Sequence, residues 1–223
     1  MQEIVSRFTS LPPYDMAALV VVLLYALQAE IRFGARARTM RPGPSDRSST
    51  LAVSVSSAVP VLGLVLAVKS NSPGISPLVP DWFRFATLPG LPGIAWFGVA
   101  LGVCGLALRL WAVMTLRERY TRTLLIQDHH PFESNGPYRW VRHPGYLGSL
   151  LCFAGVALAS ANLIVLIASI AATFAAYNYR IKVEDQMLIA ALGPPYAEYR
   201  KHVSALVPSL GAKRIAGSPP RNI

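Results

Sequence analysis

Four long apolar stretches constrain this chain more than any other feature of its sequence. They cover residues 16–31, 51–68, 93–116 and 146–179. A helix needs about 20 mostly apolar residues to cross the hydrocarbon core of a bilayer. A composition of 53% hydrophobic and only 14% charged residues is also unusual for a soluble chain of 223 residues. The stretches therefore predict an all-α, polytopic membrane protein.

The fourth stretch is too long for a single membrane span. Its centre carries Ser160, Ala161 and Asn162, which are small or polar residues that suit a tight turn. We therefore expect two antiparallel arms of about 15 to 17 residues, each reaching roughly 25 Å at 1.5 Å per residue. This gives about five transmembrane helices, the last two forming a helical hairpin, and a cytoplasmic C-terminal helical segment.

The basic residues are divided unevenly between the two sides that five spans would create. Seventeen of the 21 Lys and Arg residues fall on one side and three on the other. Because Lys and Arg accumulate in cytoplasmic loops, the pattern predicts an outside N-terminus and a cytoplasmic C-terminus in a bacterial inner membrane. The basic residues lie between apolar blocks rather than along one face, so the net charge of +10 does not indicate nucleic-acid binding.

Three smaller features carry expectations of their own. Asp15 precedes the first apolar stretch and is expected to cap its helix. Residues 38–50 are rich in Pro, Gly and Ser and are expected to form a connector without chemistry. Arg109, inside the third stretch, is expected to reach towards lipid headgroups, with a role in substrate binding as the alternative.

Two polar segments flank the predicted hairpin. The first runs through residues 122–130 and leads to GPYRWVRHPGYLG at 136–148. The second begins as RIKVEDQML at 180–188 and continues as LGPPYAEY at 192–199. If the hairpin forms, both segments lie at the same membrane face.

These paired motifs, in this order, resemble the isoprenylcysteine carboxyl methyltransferase and phospholipid methyltransferase superfamily of integral membrane enzymes. In this chain Glu184–Asp185 stands where the family has two glutamates, and Leu192 where it has an aromatic residue. The resemblance implies a core at 116–210 that binds S-adenosylmethionine. It would follow membrane helices without a signature at 1–115 and precede a flexible tail at 211–223.

The resemblance also implies the residues of the site, position by position. Arg180 and Glu184 match positions at the reacting centre and are the catalytic candidates. The implied cofactor contacts are His130, Tyr138, Arg142, His143, Pro144, Tyr146, Leu147, Gly148 and Glu184.

The chemistry of these residue types agrees with that assignment. Gly148 would let a ligand approach the backbone closely, and Pro144 suits the first turn of a helix. The rings of Tyr138 and Tyr146 could stack on adenine or face a sulfonium cation.

The acceptor would be a lipophilic small molecule or a lipidated substrate surrounded by membrane lipids, and we expect a carboxylate, as in isoprenylcysteine O-methylation. Arg180 would then hold the carboxylate through a forked pair of hydrogen bonds. For an amine or thiol acceptor, Glu184 or His143 would remove a proton.

Several alternatives stay open. The chain could be a phospholipid N-methyltransferase, a membrane reductase of the sterol-reductase type that uses NADPH, or a transport protein with Glu30 and Arg109 as intramembrane charges. Glu184 and Asp185 could also form a solvated surface cluster. No metal is expected at His129 and His130, because the sequence offers no third ligand at a helical spacing.

Overall fold

The regular structure is helical throughout the residues that the structure describes. The computed structural model describes residues 12–39, 46–70, 76–88, 91–116 and 133–208. Its α-helices are α1 (Pro13–Thr39), α2 (Ser49–Lys69), α3 (Asp81–Arg84), α4 (Leu91–Leu116), α5 (Pro144–Ala159), α6 (Leu163–Leu192) and α7 (Pro194–His202). A short 3₁₀ turn, Gly136–Arg139, precedes α5. The predicted all-α class is confirmed.

Apolar helices dominate this fold. Within the described ranges, three are long and apolar enough to cross a membrane: Ser49–Lys69, Pro92–Leu116 and Leu163–Leu192. Two shorter apolar segments, Pro13–Gln28 and Pro144–Ala159, accompany them. Large apolar side chains on these helices point outwards, as expected of surfaces that face lipid. The protein is an integral membrane protein, and the crossing of the bilayer by all five segments stays a prediction.

The predicted reversal between the last two membrane helices is confirmed. Pro144 begins α5, where its missing N–H costs no hydrogen bond. Asn162 caps α6, because its Oδ1 accepts hydrogen bonds from the backbone N–H groups of Ile164 at 3.0 Å and Val165 at 3.1 Å. Its amide also donates to the Phe83 carbonyl at 2.9 Å. Helix α3, which contains Phe83, is thereby bound to the turn of the hairpin.

The second arm of the hairpin is much longer than expected. The apolar pattern stops near Tyr179, but α6 continues to Leu192 and ends at Gly193, whose φ of 64° lies in the left-handed region that favours glycine. The predicted length was wrong because hydropathy reports contact with lipid, whereas a helix also continues where its buried face turns polar. As a result Arg180, Glu184 and Asp185 lie on one continuous helix.

The expected cap at Asp15 is also wrong. Helix α1 begins earlier, at Pro13, so Asp15 lies in its first turn and is buried. Proline at the start of a helix has its φ angle already set for the first turn. The start of α1 therefore depends on the Pro12–Pro13 pair rather than on the carboxylate.

Glycines bring α4 and α5 into backbone contact. A Cβ atom added to Gly155 would lie 2.3 Å from the Gly102 nitrogen, and one added to Gly105 would lie 2.4 Å from the Cys152 nitrogen. Neither position has space for a side chain. Small residues allow such close approach between membrane helices, where packing replaces the hydrophobic effect as the source of association. The first half of the hairpin is thereby fixed against α4.

Candidate functional site

A buried carboxylate joins the segment before α5 to the C-terminal helix. Asp185 Oδ1 accepts a hydrogen bond from the Tyr196 hydroxyl at 2.7 Å and lies 3.1 Å from His143 Nε2. Its Oδ2 accepts from Arg142 Nη2 at 3.0 Å. The Asp185 side chain is 5% exposed, so it is not part of a solvated surface cluster. We call these four residues, Arg142, His143, Asp185 and Tyr196, the Asp185 clasp.

Further hydrogen bonds hold the C-terminal segment in place. The backbone N–H groups of Arg142 and His143 donate to the carbonyls of Ser204 at 2.9 Å and Ala205 at 3.1 Å. The Tyr199 hydroxyl donates to the Tyr138 carbonyl at 2.5 Å. Burial raises the pKa of both C-terminal tyrosines, and the charge of Asp185 raises the pKa of Tyr196 further. Tyr196 and Tyr199 are therefore neutral donors that fasten the motif of residues 136–143.

Glu184 lies next to the clasp but has a different environment. Its Oε2 is 3.6 Å from His143 Nδ1. That oxygen is buried, and no hydrogen-bond partner for it exists among the residues described. The His143 ring stacks on Tyr146, with ring centres 5.3 Å apart and an interplanar angle of 7°. A buried carboxylate oxygen without a donor is costly, so this corner suits a ligand that brings a donor or a positive charge.

Arg180 links Tyr146 to the start of α2. Its Nε donates to the Tyr146 hydroxyl at 2.8 Å. Its Nη1 donates to Thr50 Oγ1 at 2.8 Å and Ser49 Oγ at 3.3 Å, and lies 3.5 Å from Asp46 Oδ1. We call these five residues the Arg180 chain. A forked pair with an acceptor carboxylate needs two guanidinium nitrogens, and Nε and Nη1 already have partners, so this arrangement differs from the expected one.

Asp46 belongs to the connector that was expected to carry no chemistry, and the structure shows that residues 46–50 of this connector contact Arg180. Asp46 is 1% exposed. Its carboxylate accepts hydrogen bonds from the hydroxyls of Ser49 at 3.1 Å and Thr50 at 2.7 Å, and from the Thr50 N–H at 3.1 Å. Burial raises the pKa of Asp46, but these hydrogen bonds and the charge of Arg180 outweigh it and hold the pKa below its usual value. Asp46 is therefore a buried anion.

Arg109 points into the helix bundle, so the expectation that it reaches to headgroups is wrong. Its Nη1 donates to Ser149 Oγ at 2.7 Å and to the Gly145 carbonyl at 3.3 Å. Its guanidinium carbon lies 4.8 Å from the centre of the Tyr25 ring. The Tyr25 hydroxyl donates to Ser149 at 3.0 Å and lies 3.4 Å from the Tyr177 hydroxyl. We call Tyr25, Arg109, Ser149 and Tyr177 the Arg109 cluster.

The Arg109 cluster and the Arg180 chain are neighbours. The rings of Tyr146 and Tyr177 have centres 5.4 Å apart. A continuous set of polar and aromatic groups therefore runs from the end of the hairpin into the helix bundle. It connects the corner at Glu184 with an intramembrane cation.

The remaining predicted cofactor residues occupy varied positions. Gly148 faces α4, where an added Cβ would lie 2.6 Å from the Arg109 nitrogen, so a helix rather than a ligand makes the close approach there. Pro144 and Leu147 lie in the first turn of α5. The Tyr138 hydroxyl donates to the Ala112 carbonyl at 3.5 Å. His130, with the rest of the segment 122–130, lies outside the described residues.

Comparisons with known proteins show what this part of the chain is similar to. Residues 98–190 match the isoprenylcysteine carboxyl methyltransferase (ICMT) family. Protein-S-isoprenylcysteine O-methyltransferase of Tribolium castaneum is 26% identical over 146 residues, which are 61% of this chain and 52% of that protein. The cobalt-zinc-cadmium resistance protein CzcN of Cupriavidus metallidurans is 33% identical over 127 residues, 56% of this chain and 53% of that protein. The chain thus spans about half the length of these two relatives.

A solved structure shares the fold. The eukaryotic intramembrane Ras methyltransferase ICMT superposes with a TM-score of 0.56 at 20% sequence identity, covering 88% of this chain and 67% of that one. The fold and the site define an all-helical integral membrane protein whose last two membrane helices bring two polar motifs together. The chain is similar to the isoprenylcysteine carboxyl methyltransferase family over residues 98–190, and it shares the fold of a solved member.

Proposed function

We propose that this protein transfers a methyl group from S-adenosylmethionine to a lipophilic acceptor in the membrane. The observation that carries the proposal is the corner at Glu184. There, a carboxylate oxygen is buried beside the stacked rings of His143 and Tyr146, and none of the residues that the structure describes donates a hydrogen bond to it. The two motifs that supply these residues are separated by a membrane hairpin in the sequence. The similarity of residues 98–190 to the isoprenylcysteine carboxyl methyltransferase family supports the same activity.

The residues around this corner fit S-adenosylmethionine. Its sulfonium carries a positive charge, which would stabilise the buried Glu184 oxygen. An aromatic face such as that of Tyr146 also attracts a cation. His143, Tyr146 and Glu184 would hold it, within the core of residues 116–210. When bound, it supplies an electrophilic methyl group: a lone pair of the acceptor forms the new bond to carbon, and the carbon–sulfur electron pair stays on sulfur as a neutral thioether.

For the acceptor, we propose a carboxylate of the isoprenylcysteine type. A carboxylate is already ionised at neutral pH, so no side chain has to remove a proton. The Arg109 cluster supplies a cation on the bilayer side of Tyr146, where the headgroup of a lipophilic acid could be held. If the acceptor is a phospholipid amine instead, the amine must lose a proton, and Glu184 is the nearest carboxylate to take it.

We also propose a topology with the N-terminus outside and the C-terminus in the cytoplasm of a bacterial inner membrane. The excess of Lys and Arg on one side supports it. In this orientation the cofactor reaches Glu184 from the cytoplasm, and the acceptor reaches Arg109 from the lipid.

The test uses the full chain purified in detergent. Saturating S-adenosylmethionine should raise its melting temperature, whereas NADPH should not, because only a ligand of the folded state stabilises it. Incubation with methyl-labelled S-adenosylmethionine and a membrane lipid extract should then label a lipid. Release of the label by mild base indicates an ester, and a base-stable label indicates N-methylation. Stabilisation by NADPH alone would identify a reductase instead.

A further inference from the structure

The connection from Asp46 to Tyr146 has a defined direction. Asp46 is a buried acceptor, so the hydroxyl protons of Ser49 and Thr50 point towards it. The lone pairs of these two oxygens are then free to accept from Arg180 Nη1, at 3.3 and 2.8 Å. Asp46, Ser49 and Thr50 thus hold one edge of the Arg180 guanidinium against the segment where α2 begins.

Arg180 has a second carboxylate on its own helix. Glu184 is four residues further along α6, a spacing at which oppositely charged side chains commonly pair. Here Arg180 Nε donates to the Tyr146 hydroxyl and Nη1 faces α2, while His143 lies 3.6 Å from Glu184. Arg180 also interacts electrostatically with both Glu184 and Asp46. The Arg180 side chain is only 5% exposed. Because little solvent reaches the Arg180 guanidinium, its distances to Glu184 and Asp46 decide how strongly its charge acts on each of them.

We propose that Asp46 is a positioning residue that keeps the Arg180 guanidinium turned towards α2 and so leaves the Glu184 carboxylate available for a cationic ligand. Without the Asp46 charge, Arg180 would compensate Glu184 more fully and repel a cation nearby. This inference rests on the proposed function, which supplies the cation: the sulfonium of S-adenosylmethionine. The connector between the first two membrane helices thereby sets the charge preference of the cofactor site.

The test compares two ligands that differ in charge. S-adenosylmethionine is a sulfonium, and S-adenosylhomocysteine, which remains after methyl transfer, is the neutral thioether with the same adenosyl group. Their dissociation constants are measured on the purified full chain. We expect Asp46→Asn to lower the preference for the sulfonium over the thioether by about tenfold, as a cation at roughly 10 Å and an effective dielectric constant near 20 would do. Asp46→Glu, which keeps the charge, should retain most of the preference.

A matched control separates charge from docking of the connector. The Tyr179 hydroxyl donates to the Arg47 carbonyl at 2.8 Å, which holds the same connector to α6 without touching Asp46 or Arg180. Tyr179→Phe should leave the ratio of the two dissociation constants unchanged. Thr50→Val is a second probe, because it keeps the Asp46 carboxylate but removes an oxygen that accepts from Arg180. It should shift the ratio in the same direction as Asp46→Asn, by a smaller factor.

The outcomes distinguish this inference from the proposed function. If Asp46→Asn weakens both ligands equally, Asp46 only holds the fold and the inference is overturned, while the methyltransferase proposal stands. If Asp46→Asn does not fold, an unchanged ratio in Thr50→Val overturns it in the same way. If the wild-type chain binds neither ligand, the proposed function itself fails.

Discussion

Glu184 and Asp185 are adjacent on α6, yet their carboxylates have opposite environments. Asp185 accepts hydrogen bonds from Tyr196 and Arg142, and its contact with His143 completes the Asp185 clasp. The buried oxygen of Glu184 has no donor within the described parts of the chain. A carboxylate whose lone pairs are occupied contributes to the fold, whereas one left without donors suits a ligand. The contrast separates the structural half of the site from the half that would bind the cofactor.

The strongest test of the contrast removes the centre of the clasp. Asp185→Ala leaves Arg142 buried without its partner, a change that costs about 3–5 kcal/mol of folding free energy. We expect the melting temperature in detergent to fall by about 10 °C. Glu198→Gln is the control, because this carboxylate lies exposed on α7 and should change the melting temperature by less than about 2 °C. Equal melting temperatures of Asp185→Ala and Glu198→Gln would show that the Asp185 clasp does not stabilise the fold.

A second change extends the contrast to the acceptor side. Arg109→Leu removes the intramembrane cation but leaves the corner at Glu184 intact. The rate of methyl transfer to lipid should fall about a hundredfold, as when a stabilising donor is lost from an active site, while the dissociation constant of S-adenosylmethionine changes little. Arg84→Leu, at the end of the short helix α3, should affect neither. A loss of cofactor binding in Arg109→Leu would place this arginine on the cofactor side instead.

In contrast to Asp185→Ala, Glu184→Gln should weaken cofactor binding and leave the stability of the fold almost unchanged. The substitution removes the charge but keeps the shape, so the melting temperature of the free protein should stay within about 2 °C of wild type. The affinity for S-adenosylmethionine should fall about thirtyfold, because an anion near the sulfonium is lost. Calorimetric titration and a melting curve on the same sample measure both effects. A large drop in melting temperature would mean that Glu184 supports the fold as Asp185 does.

The smallest expected effect lies within the clasp. Tyr196→Phe removes one of the hydrogen bonds to Asp185 and keeps the ring, at a cost of about 1 kcal/mol. The melting temperature should fall by about 3 °C, with an unchanged affinity for S-adenosylmethionine. If the affinity falls while the melting temperature is unchanged, Tyr196 contacts the ligand. The assignment of Asp185 to the fold and Glu184 to the cofactor would then be wrong.

Local signals in the sequence were sufficient for the hairpin. Asn162 follows a long apolar run and Pro144 precedes it, and both act through their own backbone neighbours. Once the reversal was assigned, His143 and Glu184 had to share one face of the membrane. This part of the site was predictable because an antiparallel hairpin always brings the start of its first helix and the end of its second helix to the same side.

The contributions of the first two helices were not predictable from the same pattern. Asp46 lies in a stretch that reads as a connector, and only the Ser49–Thr50 pair that follows it at the start of α2 hints at a capped helix. Its pairing with Arg180 depends on tertiary packing between α2 and α6. The expectation that Arg109 reaches towards lipid headgroups was wrong for a related reason. Hydropathy indicates the depth of a residue in the bilayer, but it does not indicate which side of the helix packs against Ser149.

The glycine contacts between α4 and α5 limit how a lipid can reach the interior. Backbones that touch at Gly105 and Gly155 leave no gap that a prenyl or acyl chain could widen without pulling two main chains apart. These helices therefore behave as one rigid wall. If the acceptor is the proposed lipid, its lateral entrance would lie along another interface of the bundle, where side chains can rotate aside.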